Sequence, residues 1–191
     1  MAARETIRGG MAAKDGRDIA YALHRGGNGG SIVAVQGAGS EDVWERQMPL
    51  TERYSILCYR GSAYDEENAR ILQGLCKDFR IVMPHMVGHS WGTQTCLEYC
   101  RIAESGYSPS TLTLITPVRQ DWSGITIFTR TRILLQSTGD SECDVRLLSF
   151  VRSRSGLPAK SRVELCRGHF PFQDDAVSFN RKLVDFLENR Q

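Results

Sequence analysis

The chain reads as a three-layer α/β domain, a mostly parallel central sheet with helices on both faces, on three observations. Apolar runs of three to six residues recur at 32–35, 55–59, 85–87, 112–115, 133–135 and 163–166. They lack clean alternation, as strands buried on both faces do. Helix-spaced stretches lie between them, and no Pro, Gly or Ser-rich linker divides the chain, so residues 1–191 are expected to form one domain.

The elements follow in order. Residues 5–24 predict an opening hairpin about the turn Lys14-Asp15-Gly16, and the glycine-rich link 25–30 reads as a flexible turn. Residues 66–79 have helical spacing. So does the stretch from Thr93, with Cys96, Leu97, Cys100 and Ala103 on one face and Gly106 as its stop. Further helices are expected at 144–154 and 174–189, the latter capped by Asp174 or Asp175 and burying Val177, Leu183, Val184 and Leu187.

Composition narrows the function classes. Lys and Arg number 24 against 22 Asp and Glu, interspersed, so no field favours nucleic acid or anionic lipid, and a small-molecule or carrier-bound partner is expected instead. No apolar stretch approaches the roughly 20 residues of a membrane span. The first 17 residues lack the apolar core of a signal peptide, and the expected location is the cytoplasm. The six cysteines then read as reduced thiols. Cys96 and Cys100 share a helical face, but without further ligands nearby they fit a buried stripe better than a metal, and neither metal nor cofactor is expected.

Chemistry concentrates at Met86-Val87-Gly88-His89-Ser90-Trp91-Gly92-Thr93, where an apolar strand leads into Gly-x-Ser-x-Gly and then a helical pattern. A serine on so tight a strand-to-helix turn needs glycines two positions either side, because side chains there collide. The turn raises the Ser90 hydroxyl above the sheet and directs the Trp91 N–H, at a helix N-terminus, into the same space. A serine needs a base to take its proton. Of the four histidines, His24 lies in the hairpin, His85 begins a strand and the His89 side chain points away from Ser90, which leaves His169, between the last strand and the last helix. A carboxylate should orient that ring, and residues 133–145 offer Asp140, Glu142 and Asp144, the last better suited to capping a helix.

The elbow, the Gly168-His169-Phe170-Pro171 segment and the strand end Leu134–Gly139 together resemble the α/β-hydrolase superfamily across nearly the whole chain. The elbow looks like those of its proline iminopeptidase-type members. The resemblance implies Ser90 as nucleophile and His169 as base. It matches the family acid to Glu142, where the family has Asp, with Asp140 as rival. Val35-Gln36-Gly37-Ala38-Gly39 is similar to the oxyanion loop, with Gln36 where the family has histidine, so the Ala38 and Trp91 amides would form the oxyanion hole. The Tyr59-Arg60-Gly61-Ser62 segment reads as loop scaffolding.

Many relatives insert a large helical cap where this chain has only about residues 117–130, so the cap is expected to be minimal or absent and the site open, with Trp122, Ile125 and Phe128 as a small apolar lip that would also favour a homodimer. The expected activity is hydrolysis of an ester, thioester or related acyl bond through an acyl-enzyme. The alternative is a non-hydrolytic role on the same fold, such as a cyclisation, a rearrangement or ligand binding.

Overall fold

The computed structural model describes residues 5–12, 18–37, 41–61, 66–117, 132–137, 162–165 and 169–188. Among these, eight strands form one sheet: β1 (Thr6–Ala12), β2 (Asp18–His24), β3 (Ser31–Gln36), β4 (Ser55–Arg60), β5 (His85–His89), β6 (Thr111–Ile115), β7 (Arg132–Ser137) and β8 (Arg162–Leu165). Their order is β1-β2-β4-β3-β5-β6-β7-β8. β2 runs antiparallel to β1 and β4, and every other pairing is parallel. The hairpin and the parallel sheet follow the sequence expectation.

Strand alternation sends successive side chains to two cores. Leu57, Tyr59 and Met86 join Leu72, Leu75, Cys96, Leu97 and Tyr99 beneath α1 (Glu66–Asp78) and α2 (Gly92–Ile102). Ile56, Cys58 and Val87 join Trp44, Phe172, Phe179, Leu183 and Phe186 beneath a 3₁₀ helix (Glu41–Glu52), α3 (Pro171–Asp174) and α4 (Ala176–Leu187). Each fully buried large apolar side chain contributes about 1.5–3 kcal/mol relative to exposure. The sheet is thus covered on both faces, and only residues 116–131 separate β6 from β7.

Three features depart from the sequence reading. The 3₁₀ helix was not signalled. Trp44, Gln47 and Leu50 are buried at every third position, the period of a 3₁₀ turn, and the middle one is polar. Gln47 is accommodated because its Nε2 donates to the Phe172 carbonyl at 2.6 Å, tying this helix to α3. Val177 is 83% exposed instead of buried. The inward stripe of α4 is Phe179, Leu183, Phe186 and Leu187, and Val177 lies two residues, about 200°, from its start. Asp175 does cap α4, accepting from the Ser178 amide at 3.1 Å.

The glycine-rich link is a close-packed joint instead of a flexible turn. A Cβ on Gly26 would stand 1.9 Å from the Tyr54 carbonyl oxygen. The Gly27 and Gly29 amides donate to Thr51 and Arg53 carbonyls at 3.1 and 2.7 Å. The expected helix at 144–154 and the lip residues Trp122, Ile125 and Phe128 lie outside the described residues. Among the described residues no helix is long and apolar enough to cross a membrane.

Candidate active site

β5 ends at His89 and α2 begins at Gly92, so the chain reverses across Ser90 and Trp91 alone. Ser90 carries φ +52°, a left-handed conformation that costs a non-glycine residue about 1–3 kcal/mol unless its surroundings enforce it. Here they do. The Ser90 amide donates to the Ile115 carbonyl at 3.0 Å, and its carbonyl accepts from the Thr93 amide and hydroxyl at 3.1 and 2.7 Å. The flanking glycines permit the approach this requires. A Cβ on Gly88 would lie 2.8 Å from Cys96 Sγ, and one on Gly92 would lie 2.2 Å from the Val35 carbonyl oxygen. A side chain would therefore collide at both glycine positions of Gly-x-Ser-x-Gly.

Trp91 is the N-cap residue of α2, so its amide stands at the helix's electropositive end. The chain leaving β3 presses against it, since a Cβ on Gly37 would come within 2.2 Å of Trp91 Cβ and 2.5 Å of the Gly92 nitrogen. Ala38 follows Gly37 in sequence but lies outside the described residues, as do Asp140, Glu142 and Asp144.

His169 reaches the same edge of the sheet. Its carbonyl accepts from His89 Nε2 at 2.8 Å and from Thr116 Oγ1 at 3.4 Å, joining the segment before α3 to the ends of β5 and β6. The His89 and His169 rings meet edge to face with centroids 4.8 Å apart. Ser90, Trp91 and His169 are thus brought to one corner. Among the described residues Ser90 and His169 share no hydrogen bond. Trp91 and Phe170, the residues following the serine and the histidine, are 38% and 37% exposed and give the corner an apolar rim.

His89, which the sequence reading turned away from the serine, supports this corner. Its ring is fully buried, with Nδ1 2.9 Å from the Gln36 side-chain amide, Phe170 tilted against it at 4.8 Å and Phe172 edge to face at 4.9 Å. Burial pushes its pKa down to about 4, aided by the charge of His169 and opposed by the bond to the His169 carbonyl. The available signal was strand parity: His85, Val87 and His89 share a face of β5, and Gln36 ends the adjacent β3 on that face.

At the other end of β5, His85 Nδ1 lies 3.0 Å from both Ser110 Oγ and Thr111 Oγ1. Burial, with the nearby Arg132 cation, also pushes its pKa down to about 4. Cys96 and Cys100 are buried in the core, where desolvation raises Cys96 well above the thiol range and Cys100 to about 12.

The architecture is shared with solved esterases. An esterase from Rhodococcus sp. ECU1013 superposes with TM-score 0.72 at 13% identity over 96% of this chain and 99% of its own. An esterase from Thermogutta terrifontis, solved with malate bound, gives 0.71 at 13% identity over 97% and 99%. An esterase from Exiguobacterium antarcticum gives 0.68 at 14% identity over 95% and 100%. In sequence the chain matches no protein-family model and no curated protein. The chain has the α/β-hydrolase fold.

Proposed function

We propose that the protein is a serine acyl hydrolase acting on an ester, thioester or related bond. The observation that carries this reading is Ser90 held at φ +52° between a buried parallel strand and a helix N-terminus, with His169 at the same corner. A left-handed serine is costly, and in such a turn it would present its hydroxyl beside the electropositive amides of the helix N-terminus. The likeness to solved esterases supports the same class, at the level of fold.

In this mechanism His169 takes the Ser90 proton as Oγ bonds to the substrate carbonyl carbon, and the carbonyl π electrons move to oxygen. The Trp91 and Ala38 amides hold that oxyanion. Collapse breaks the bond to the leaving group, which receives the proton from the His169 imidazolium. Water, deprotonated by His169, then bonds to the acyl carbon, and the acid leaves as the Oγ–carbon bond breaks and Ser90 Oγ regains a proton from the imidazolium. Glu142, or Asp140, orients the imidazole. The substrate is a small-molecule or carrier-bound acyl compound. Trp91 and Phe170 form an apolar wall beside a site with at most a minimal cap, the protein works in the cytoplasm without a cofactor, and an apolar lip would support a homodimer.

A second reading, non-hydrolytic chemistry or ligand binding on the same fold, draws on the absence of a Ser90–His169 hydrogen bond among the described residues. Catalytic hydrogen bonds often tighten only around substrate, so the first reading is preferred. A fluorophosphonate probe with site mapping by mass spectrometry separates the two. Labelling at Ser90 that vanishes in Ser90→Ala and drops sharply in His169→Ala is the expected result, and folded wild-type protein without labelling would overturn it.

A further inference from the structure

A fully buried imidazole is tolerated where both ring nitrogens find partners, and those of His89 are specific. Nε2 faces the His169 carbonyl, which can only accept, so Nε2 carries the proton. Burial disfavours the imidazolium, so Nδ1 is bare and must itself accept. The Gln36 atom placed 2.9 Å away is Oε1; an accepting Nδ1 requires the amide turned so that its NH₂ faces the ring, since the two ends of an amide are distinguished by their hydrogen bonds. A directed chain results: Gln36 Nε2–H donates to His89 Nδ1, and His89 Nε2–H donates to the His169 carbonyl.

We propose that His89 is a positioning residue for acyl transfer, its Nε2–H tautomer set by Gln36 and its hydrogen bond to the His169 backbone aiming the base ring at Ser90. This rests on the assignment of Ser90 and His169 above. His89 adjoins Ser90 in the chain, so one residue ties the nucleophile's turn to the segment bearing its base. The only other side-chain bond to that carbonyl among the described residues, from Thr116 Oγ1, is long at 3.4 Å. The tilted and edge-to-face ring contacts at 4.8–4.9 Å with His169, Phe170 and Phe172 restrict tilt but not height, and the hydrogen bond supplies that restraint. A bonding partner without charge also suits the chemistry. His169 becomes cationic during attack, and a second cation with its centroid 4.8 Å away would oppose this. Gln36 fixes the tautomer without the pull towards protonation that a carboxylate would exert.

The test joins a spectroscopic and a kinetic measurement on the full chain. Nitrogen-15 spectra of the wild type should show His89 as the Nε2–H tautomer from pH 5.5 to 8 (about 1.5 units above the lowered pKa). His89→Leu should slow phosphonylation of Ser90 by a fluorophosphonate and lower kcat for an activated ester by about 10- to 100-fold with KM little changed. His89→Gln, whose Nε2–H reaches the same height, should recover most of that loss. An Nδ1–H or charged ring in the wild type overturns the proposal even if the variants fail to fold, and so does equal activity of the Leu and Gln variants. Wild-type protein that is never labelled strikes down the hydrolase reading itself, a failure visible before any substitution is made.

Discussion

The two ends of β5 carry similar groups and differ in use. At one end His85 lies within hydrogen-bonding distance of the Ser110 and Thr111 hydroxyls. At the other, Ser90 and His169 share a corner without bonding directly. A serine–histidine contact alone points to the His85 end. Ser110, however, has no left-handed turn, its hydroxyl also lies 3.3 Å from the Pro84 carbonyl, and no helix starts beside it. Ser90 has a strained backbone and a helix N-terminus next to it. On the proposed assignment nucleophilicity follows from backbone geometry, and a hydrogen bond between the two side-chain types is neither sufficient nor, before substrate binds, necessary.

That contrast can be broken most directly by paired substitutions. Ser90→Ala should lower hydrolysis of an activated ester by at least ~10³-fold, whereas Ser110→Ala should leave kcat/KM within about twofold; steady-state kinetics on both would reverse the assignment if the effects were exchanged. Next in size is the turn itself. Gly92→Ala drives a Cβ to 2.2 Å from a carbonyl oxygen and should cost about 2–4 kcal/mol, seen as a lower urea midpoint. A neutral result would mean that the turn relaxes freely.

Protonation probes both ends together. His85 and His89 have folded pKa values of about 4, below the unfolded value near 6.5. Between those limits the unfolded chain binds more protons, so stability is full above pH 6.5 and falls as the pH drops towards 4. Each ring accounts for roughly 3 kcal/mol over that window. His85→Gln should flatten the decline in urea titrations from pH 7 to 4, and an unchanged slope would show that His85 charges without cost. The smallest expected effect is a control far from either end. Gly74, in the middle of α1 with open space where its Cβ would go, should gain about 0.5–1 kcal/mol on substitution by alanine.

Legibility in the sequence followed the range of the interactions. Gly88 to Gly92 is contiguous, so its strand–turn–helix reading needed only local sterics, and elimination among four histidines reached His169 without any view of the fold. The hairpin strands were legible because Lys14-Asp15-Gly16 punctuates them. The 3₁₀ helix was hidden by Gln47, whose burial depends on a carbonyl 125 residues away in sequence. Val177 was misjudged because an apolar residue in an amphipathic helix can still fall beyond the edge of its stripe. The Gln36–His89 contact arises from parallel pairing across 53 residues: strand parity gives each residue its face, but not the register that joins them. Glu142, Asp140 and Ala38 rest on motif matching alone.

The thiols beneath α2 lend the fold a clock. Cys96 Sγ sits under Gly88, and Cys76, Cys96 and Cys100 are free and buried in the same core. A thiol reagent can reach Cys96 only after α2 lifts from the sheet, and that movement dissolves the turn bearing Ser90. Pulsed alkylation read peptide by peptide would therefore time the opening of the support beneath Ser90, and the rate at Cys96 would set the ceiling on how long that turn stays formed in any condition chosen for assay.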